Sequence, residues 1–223
     1  MSTATHIRLN QSLLAASEKR LLIWMAERLP RWIHSDHLSA LGLTAMAGAG
    51  ASFWLMRSDP VAGAGLVAVC LALNWFGDSL DGTLARVRNQ LRPRYGYYVD
   101  HVIDLAGTAM LFAGLAASKY MSLTVAALFA ASFFLVSAEA YLATHARGIF
   151  KMAFLGVGPT ELRIVLAAGA FAVIASPVVT PFGFFEIRLF DLGGILGAAG
   201  MVMAFIISSG RNARSLYLEE THR

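Results

Sequence analysis

Hydrophobic positions along the chain gather into long uncharged blocks instead of alternating with polar ones. Ser39–Met56 is 18 residues without a charge and stops at the polar turn Arg57-Ser58-Asp59-Pro60. Val61–Gly77 is equally uncharged and runs into an acidic stretch. Tyr97–Ser118 carries Asp100 and Asp104 in its first turns, and Tyr120–Thr144 holds one interior charge, Glu139. Thr160–Ser176 follows a Pro-Thr helix start and ends before Pro177, and Leu192–Gly210 is uncharged up to Arg211. A helix crosses the hydrocarbon core of a bilayer with about 20 mostly apolar residues. The pattern therefore predicts an all-α integral membrane protein with six transmembrane helices.

The first 38 residues read differently. Leu13, Leu14, Leu21, Leu22, Met25 and Leu29 recur at helical spacing, interrupted by Glu18, Lys19, Arg20, Glu27 and Arg28. No unbroken apolar stretch follows the early charges, so a signal peptide is not expected. With Trp24 and Trp32 beside it, the segment predicts an amphipathic helix lying in the membrane interface, in preference to a helix packed only on the bundle's own loops. The expected organisation is an interfacial helix and linker over 1–38, a six-helix membrane domain over 39–210 and a cytoplasmic tail over 211–223.

Composition and charge sharpen this picture. Apolar residues make up 57% and charged residues 14% of the chain, against roughly 45–50% and 25% in soluble domains. The lone Cys70 excludes an internal disulfide framework. Placing the N-terminus in the cytoplasm puts fifteen of the 18 Lys and Arg residues on the cytoplasmic side, leaving Arg57, Lys119 and Arg188 opposite. That bias supports an even number of spans with both termini cytoplasmic. Anionic headgroups account for the net charge of +4, and no nucleic-acid partner is needed.

Candidate chemistry concentrates in Asp78-Ser-Leu-Asp81-Gly82-Thr-Leu-Ala85-Arg86 and Gly96-Tyr-Tyr-Val-Asp100-His-Val-Ile-Asp104. Spacings of three and four place each aspartate pair on one helix face. The short connection from Arg86 to Gly96 predicts antiparallel neighbouring helices whose acids share one pocket. An ionised side chain in mid-bilayer costs on the order of 3 kcal/mol, so the four should face an aqueous cavity or the bundle interior. Cations would relieve their mutual repulsion, and oxygen-only ligands favour Mg²⁺ or Mn²⁺, two ions matching four charges. Gly82 and Ala85 remove bulk beside the acids. A structural ion-pair network with Arg86, Arg88, Arg92 and Arg94 is the plainer alternative.

The run D-x2-D-G-x2-A-R-x9-G-x3-D-x3-D resembles the defining motif of the CDP-alcohol phosphotransferases, membrane enzymes of phospholipid synthesis. All eight fixed positions, spread over 27 residues, carry the expected residue. The resemblance implies transfer of a phospho-alcohol group from a CDP-alcohol to an acceptor hydroxyl with release of CMP, one of the two substrates being a lipid. By matching position, Asp78, Asp81 and Asp100 would hold metal, and Asp104 would be the general base and also touch the second metal. Gly82, Ala85 and Arg86 would contact the CDP moiety. The resemblance also implies a homodimer with its active site facing the cytoplasm. Two other classes remain open: a small cation transporter using the aspartates, and a nucleotide-binding relative without activity.

Weaker signals surround the motif. His101 follows Asp100, a pairing similar to the aminoalcohol branch of the family, although a helix-surface histidine is the preferred reading; Leu105 tilts the reading mildly away from glycerol phosphate as acceptor. Glu139, Tyr141, Thr144 and His145 would shape the acceptor site or act as polar glue, and a zinc site from His101 and His145 is poorly supported. Arg147, Lys151 and Arg163 read as orientation signals more than as phosphate ligands. Ser35–Ser39 opens the first span within reach of the nucleotide, Gly156–Thr160 reads as a turn and helix start, and Gly193 with Gly197 suits close helix contact.

Overall fold

The computed structural model describes residues 7–9, 15–147, 149–151 and 159–221. The order is β1 (Ile7–Leu9), α1 (Ala15–Arg28), α2 (Ser35–Leu55), α3 (Pro60–Val87), α4 (Pro93–Ala117), α5 (Leu123–Arg147), β2 (Ile149–Lys151), α6 (Pro159–Ala175), β3 (Val178–Val179), β4 (Ile187–Arg188) and α7 (Leu189–Thr221). The protein is helical, as the blocks predict, with two short strand pairs that the all-α expectation missed. β1 runs parallel to β2, and β3 pairs antiparallel with β4 around a 3-10 turn at Pro181–Gly183. Gly156–Gly158, expected as a turn, lies outside the described residues, as do Leu13 and Leu14.

Among the described residues five helices, α2, α3, α4, α5 and α7, are long and apolar enough to cross a membrane, with mean hydropathy of 1.4–1.9 over their best windows. The sixth predicted span, α6, has 17 residues and reaches about 25 Å at 1.5 Å per residue. Local chemistry sets several boundaries. The Asp59 carboxylate accepts from the Ala62 N–H at 3.0 Å and Pro60 occupies the first turn, so α3 starts sharply. Asn89 takes φ 55° in the turn after α3, and Pro93 opens α4. α3 does not stop where its uncharged block does: it continues through Asp78 and Asp81 to Val87. α7 likewise carries on past Gly210 to Thr221, so most of the expected tail is helix. Residues 211–221 contain neither Gly nor Pro and include two each of Arg, Leu and Glu, which favour helix.

Among the helices α2 is central, packing against both α3 and α4. The expectation that α3 and α4 are direct neighbours is therefore corrected, because α2 is wedged between them and they do not pack along their lengths. Small residues permit the wedge. A Cβ on Gly77 of α3 would lie 2.5 Å from the Leu38 carbonyl oxygen and 2.7 Å from the Gly42 nitrogen of α2. One turn-rich step further, a Cβ on Gly114 of α4 would collide with the backbone of Gly50. Around these contacts Ala49, Phe53, Val67, Leu71, Leu111 and Leu115 form a closed apolar core. α7 packs on α5 through Gly194 and Gly197, where a Cβ would meet Val125 and the Phe129 ring. Gly193, expected to share that role, faces open space.

α1 docks on the bundle through Leu22 and Ala26, which are buried with Leu80 and Leu84 of α3. Its Glu18 carboxylate accepts from Trp75 Nε1 at 2.6 Å and from Thr160 Oγ1 at 2.9 Å, joining α1 to α3 and α6. The opposite side of the helix exposes Leu21, Ile23 and Trp24.

Overpacking a tight contact typically costs 1–3 kcal/mol. Gly114→Ala is expected to lower the melting temperature in detergent by several degrees. Gly65→Ala, where a Cβ meets nothing within 4 Å, should leave it unchanged.

Candidate active site

The site lies where the C-terminal turns of α3 meet the N-terminal turns of α2, α4 and α6. Asp78 comes from α3, and Asp100 and Asp104 come from successive turns of α4. One carboxylate oxygen from each of the three lies within 4.8 Å of the others. Among the described residues this is the one cluster of three or more His, Cys, Asp or Glu side chains so placed. Three of the four acids expected to share a pocket are thus grouped, and α2 packs against both of the helices that carry them.

Asp81 is held apart from that trio. Its Oδ2 accepts from Ser39 Oγ at 2.5 Å and its Oδ1 from the Gly82 N–H at 2.5 Å. Its backbone carbonyl accepts from Ser35 Oγ at 2.7 Å. Ser35 and Ser39, expected near the nucleotide, thus place two α2 hydroxyls on one aspartate. Space is open where a Cβ on Gly82 would stand, and likewise at Gly96. Gly82 is therefore free for close approach by a ligand and is not consumed by helix packing. Ala85 lies one turn further along α3, and Arg86 donates from Nη2 to Thr83 Oγ1 at 3.1 Å.

Two of the arginines considered for an aspartate network, Arg88 and Arg92, bond away from the four motif acids. Arg88 donates to the carbonyls of Ile33, Leu29 and Pro30, at 2.5, 2.8 and 3.0 Å. Arg92 pairs with Asp36. Arg163, in the first turns of α6, reaches an acid of the trio. Its Nη2 bonds Asp78 Oδ2, and its Nε donates to Asn74 Oδ1 at 2.7 Å. Asn74 is buried and donates through Nδ2 to the Gly42 carbonyl at 3.0 Å. Orientation alone thus undervalued Arg163. The available signal was an arginine falling inside a predicted span, together with an asparagine one turn before Asp78.

His101 corrects another expectation, because it is buried and not on the helix surface. Its Nδ1 lies 3.3 Å from Asp100 Oδ2, and its ring sits between Tyr97 and Tyr141, with centroids 4.1 and 4.6 Å away. His145 is exposed and belongs to no acid or histidine cluster of the kind above. Glu139 is buried and accepts from Asn212 Nδ2 at 2.7 Å, while Asn212 Oδ1 accepts from Arg147 at 2.7 Å. This ties α5 to the extended end of α7, which is the polar-glue role.

With this geometry in hand, relatives can be compared. The sequence profile described as CDP-alcohol phosphatidyltransferase matches residues 38–207. A similar fold is seen in the crystal structure of Mycobacterium tuberculosis phosphatidylinositol phosphate synthase with CDP-DAG bound, at TM-score 0.63 and 20% identity. The alignment covers 86% of this chain and 94% of that one. No curated protein sequence matches. Fold and site together define an integral membrane enzyme that transfers phosphate-containing groups in phospholipid synthesis. The chain belongs to the CDP-alcohol phosphatidyltransferase family.

That family is in general dependent on divalent metal. The donors here fit a hard cation, being three carboxylate oxygens grouped within 4.8 Å without thiolate or imidazole.

If Glu139 serves as glue, Glu139→Gln retains an acceptor for Asn212 and should keep the wild-type melting temperature and turnover. Glu139→Leu strands the Asn212 amide, a loss of about 1–3 kcal/mol, and should lower the melting temperature measured in detergent.

Proposed function

We propose that this enzyme transfers a phospho-alcohol group from a CDP-alcohol, CDP-diacylglycerol or a CDP-aminoalcohol, to an acceptor hydroxyl with release of CMP. The observation that carries the reading is the meeting of Asp78, Asp100 and Asp104 from two helices beside the unobstructed face of Gly82. Asp78, Asp81, Asp100 and Asp104 are the residues to hold Mg²⁺ or Mn²⁺. Bound there, such ions would stabilise charge developing on the phosphoryl oxygens.

The protein's own groups supply the remainder. Gly82 and Ala85 give a flat approach for the CDP moiety, with Arg86 one residue beyond. Ser39 and the Gly82 N–H fix the Asp81 carboxylate, so it needs little rearrangement to receive a ligand. Asp104 lies one turn deeper on α4 than Asp100, and as general base it would take the proton of the acceptor hydroxyl. A cation pathway is less favoured, because the acids gather at one end of the bundle and the core toward the other end is closed by Phe53, Leu71 and Leu115.

The same reading takes α6 as a sixth crossing. Arg163 stands at the acid end, while Ala170 and Val173 are buried in the apolar core with Phe53 and Phe190. Six crossings put both termini and the active site on the cytoplasmic side, where the basic residues are concentrated. α1, with Trp24 exposed beside its docked face, then lies along that interface. A homodimer belongs to the same proposal.

Purified protein given a CDP-alcohol and a panel of acceptor hydroxyls is expected to release CMP only with Mg²⁺ or Mn²⁺ present, measured by chromatography. Absence of CMP across the panel would overturn the reading. Asp104→Asn should lower turnover by about 10²-fold or more while retaining CDP-alcohol binding; undiminished turnover would remove Asp104 as base.

A further inference from the structure

We propose that Arg163 is the counter-ion that sets the divalent-cation affinity of the aspartate cluster. The inference rests on the reading of these acids as cation ligands and adds a residue that lies outside the eight-position motif.

Arg163 is aimed and not merely nearby. Its Nε is fixed by Asn74 Oδ1 at 2.7 Å, and Asn74 is itself fixed by its bond to the Gly42 carbonyl at 3.0 Å. The guanidinium is thereby presented to Asp78 with its side chain only 15% exposed. Charge-assisted bonds of this kind are strong, and a half-buried pair is poorly screened by salt. By contrast, Arg92 meets Asp36 with both side chains about half exposed, and Arg88 spends its donors on carbonyls.

The paired oxygen belongs to a carboxylate of the trio within 4.8 Å. Lone pairs given to a guanidinium are less available to a metal ion, and a fixed positive charge beside a cation site repels the ion. Three ionised carboxylates of the trio and one guanidinium leave two negative charges, to which Asp81 adds a third. Without Arg163 the trio would carry three. Arg163 therefore weakens the hold of the site on its cation while keeping the acids tolerable to each other before the ion binds.

Docking of α6 does not hang on this residue alone. Thr160 donates to Glu18 at 2.9 Å, and Ala170 and Val173 are buried. A charge-neutral variant should therefore keep the helix in place.

The test is a Mn²⁺ titration of the full-length protein in detergent, with the free ion followed by electron paramagnetic resonance, which needs no turnover. Arg163→Gln is expected to lower the Kd for Mn²⁺ by about ten-fold or more. Arg163→Lys keeps the charge but cannot bond Asn74 and Asp78 in the same way, and should fall between wild type and Arg163→Gln. Arg147→Gln, at the α5–α7 contact, should leave the Kd unchanged. Wild-type binding with an unchanged or weakened Kd in Arg163→Gln would overturn the proposal while leaving the metal reading intact. If Arg163→Gln does not fold, a wild-type Kd in Arg163→Lys overturns it instead. Failure of wild type and variants alike to bind Mn²⁺ would overturn the metal reading, and this proposal with it.

Discussion

Negative charge grouped in a poorly polarisable setting is the constraint from which this structure follows. Two ionised carboxylates at 4–5 Å repel by roughly 3–4 kcal/mol at an effective dielectric of 20, and Asp78, Asp100 and Asp104 form three such pairs. Water at the mouth of a bundle relieves part of this. The rest must come from oriented donors and positive charge, which is what surrounds the acids. Ser39 and the Gly82 N–H face Asp81, and Arg163 faces Asp78. Each of these groups is delivered from a different part of the chain, so the acids can coexist only once α2, α3, α4 and α6 have assembled.

That assembly is secured by polar ties, most of them part-buried, that cross between helices. Glu18 gathers donors from α3 and α6, Asn74 bridges α2 and Arg163, and Asn212 bridges Glu139 and Arg147. In a membrane, apolar burial does not discriminate helix from lipid, so close packing and satisfied polar groups carry more of the specificity. The N-terminal helix shares in this arrangement. It is clamped to the bundle by Glu18, Leu22 and Ala26 while keeping Leu21 and Trp24 outward.

Much of this was legible in the sequence because the signals are local. Uncharged blocks mark the membrane helices by length, and the i, i+3 and i, i+4 spacings mark faces, so the convergence of Asp78, Asp100 and Asp104 could be anticipated. Partner choice between helices is not local. Nothing in the chain order says that α2 separates α3 from α4, since that depends on Gly42, Gly77, Gly50 and Gly114 matching across helices. For the same reason Arg163 looked like one more cytoplasmic cation until its partner was seen, and His101 looked like a surface residue until Tyr97 and Tyr141 enclosed it. The extension of α7 beyond its apolar block was missed because hydropathy reports the bilayer, whereas the helix is continued by propensity and by Asn212.

The central helix acts as a gauge between the two helices that carry the aspartate trio. Gly42 and Gly50 are the points at which it meets α3 and α4. They lie eight residues apart on α2, so their angular phase is fixed by the helix itself. A single residue inserted between them would rotate one contact by about 100° relative to the other. Substitutions can be absorbed at many lipid-facing positions, but this stretch cannot change length without pulling the α3 and α4 aspartates out of alignment.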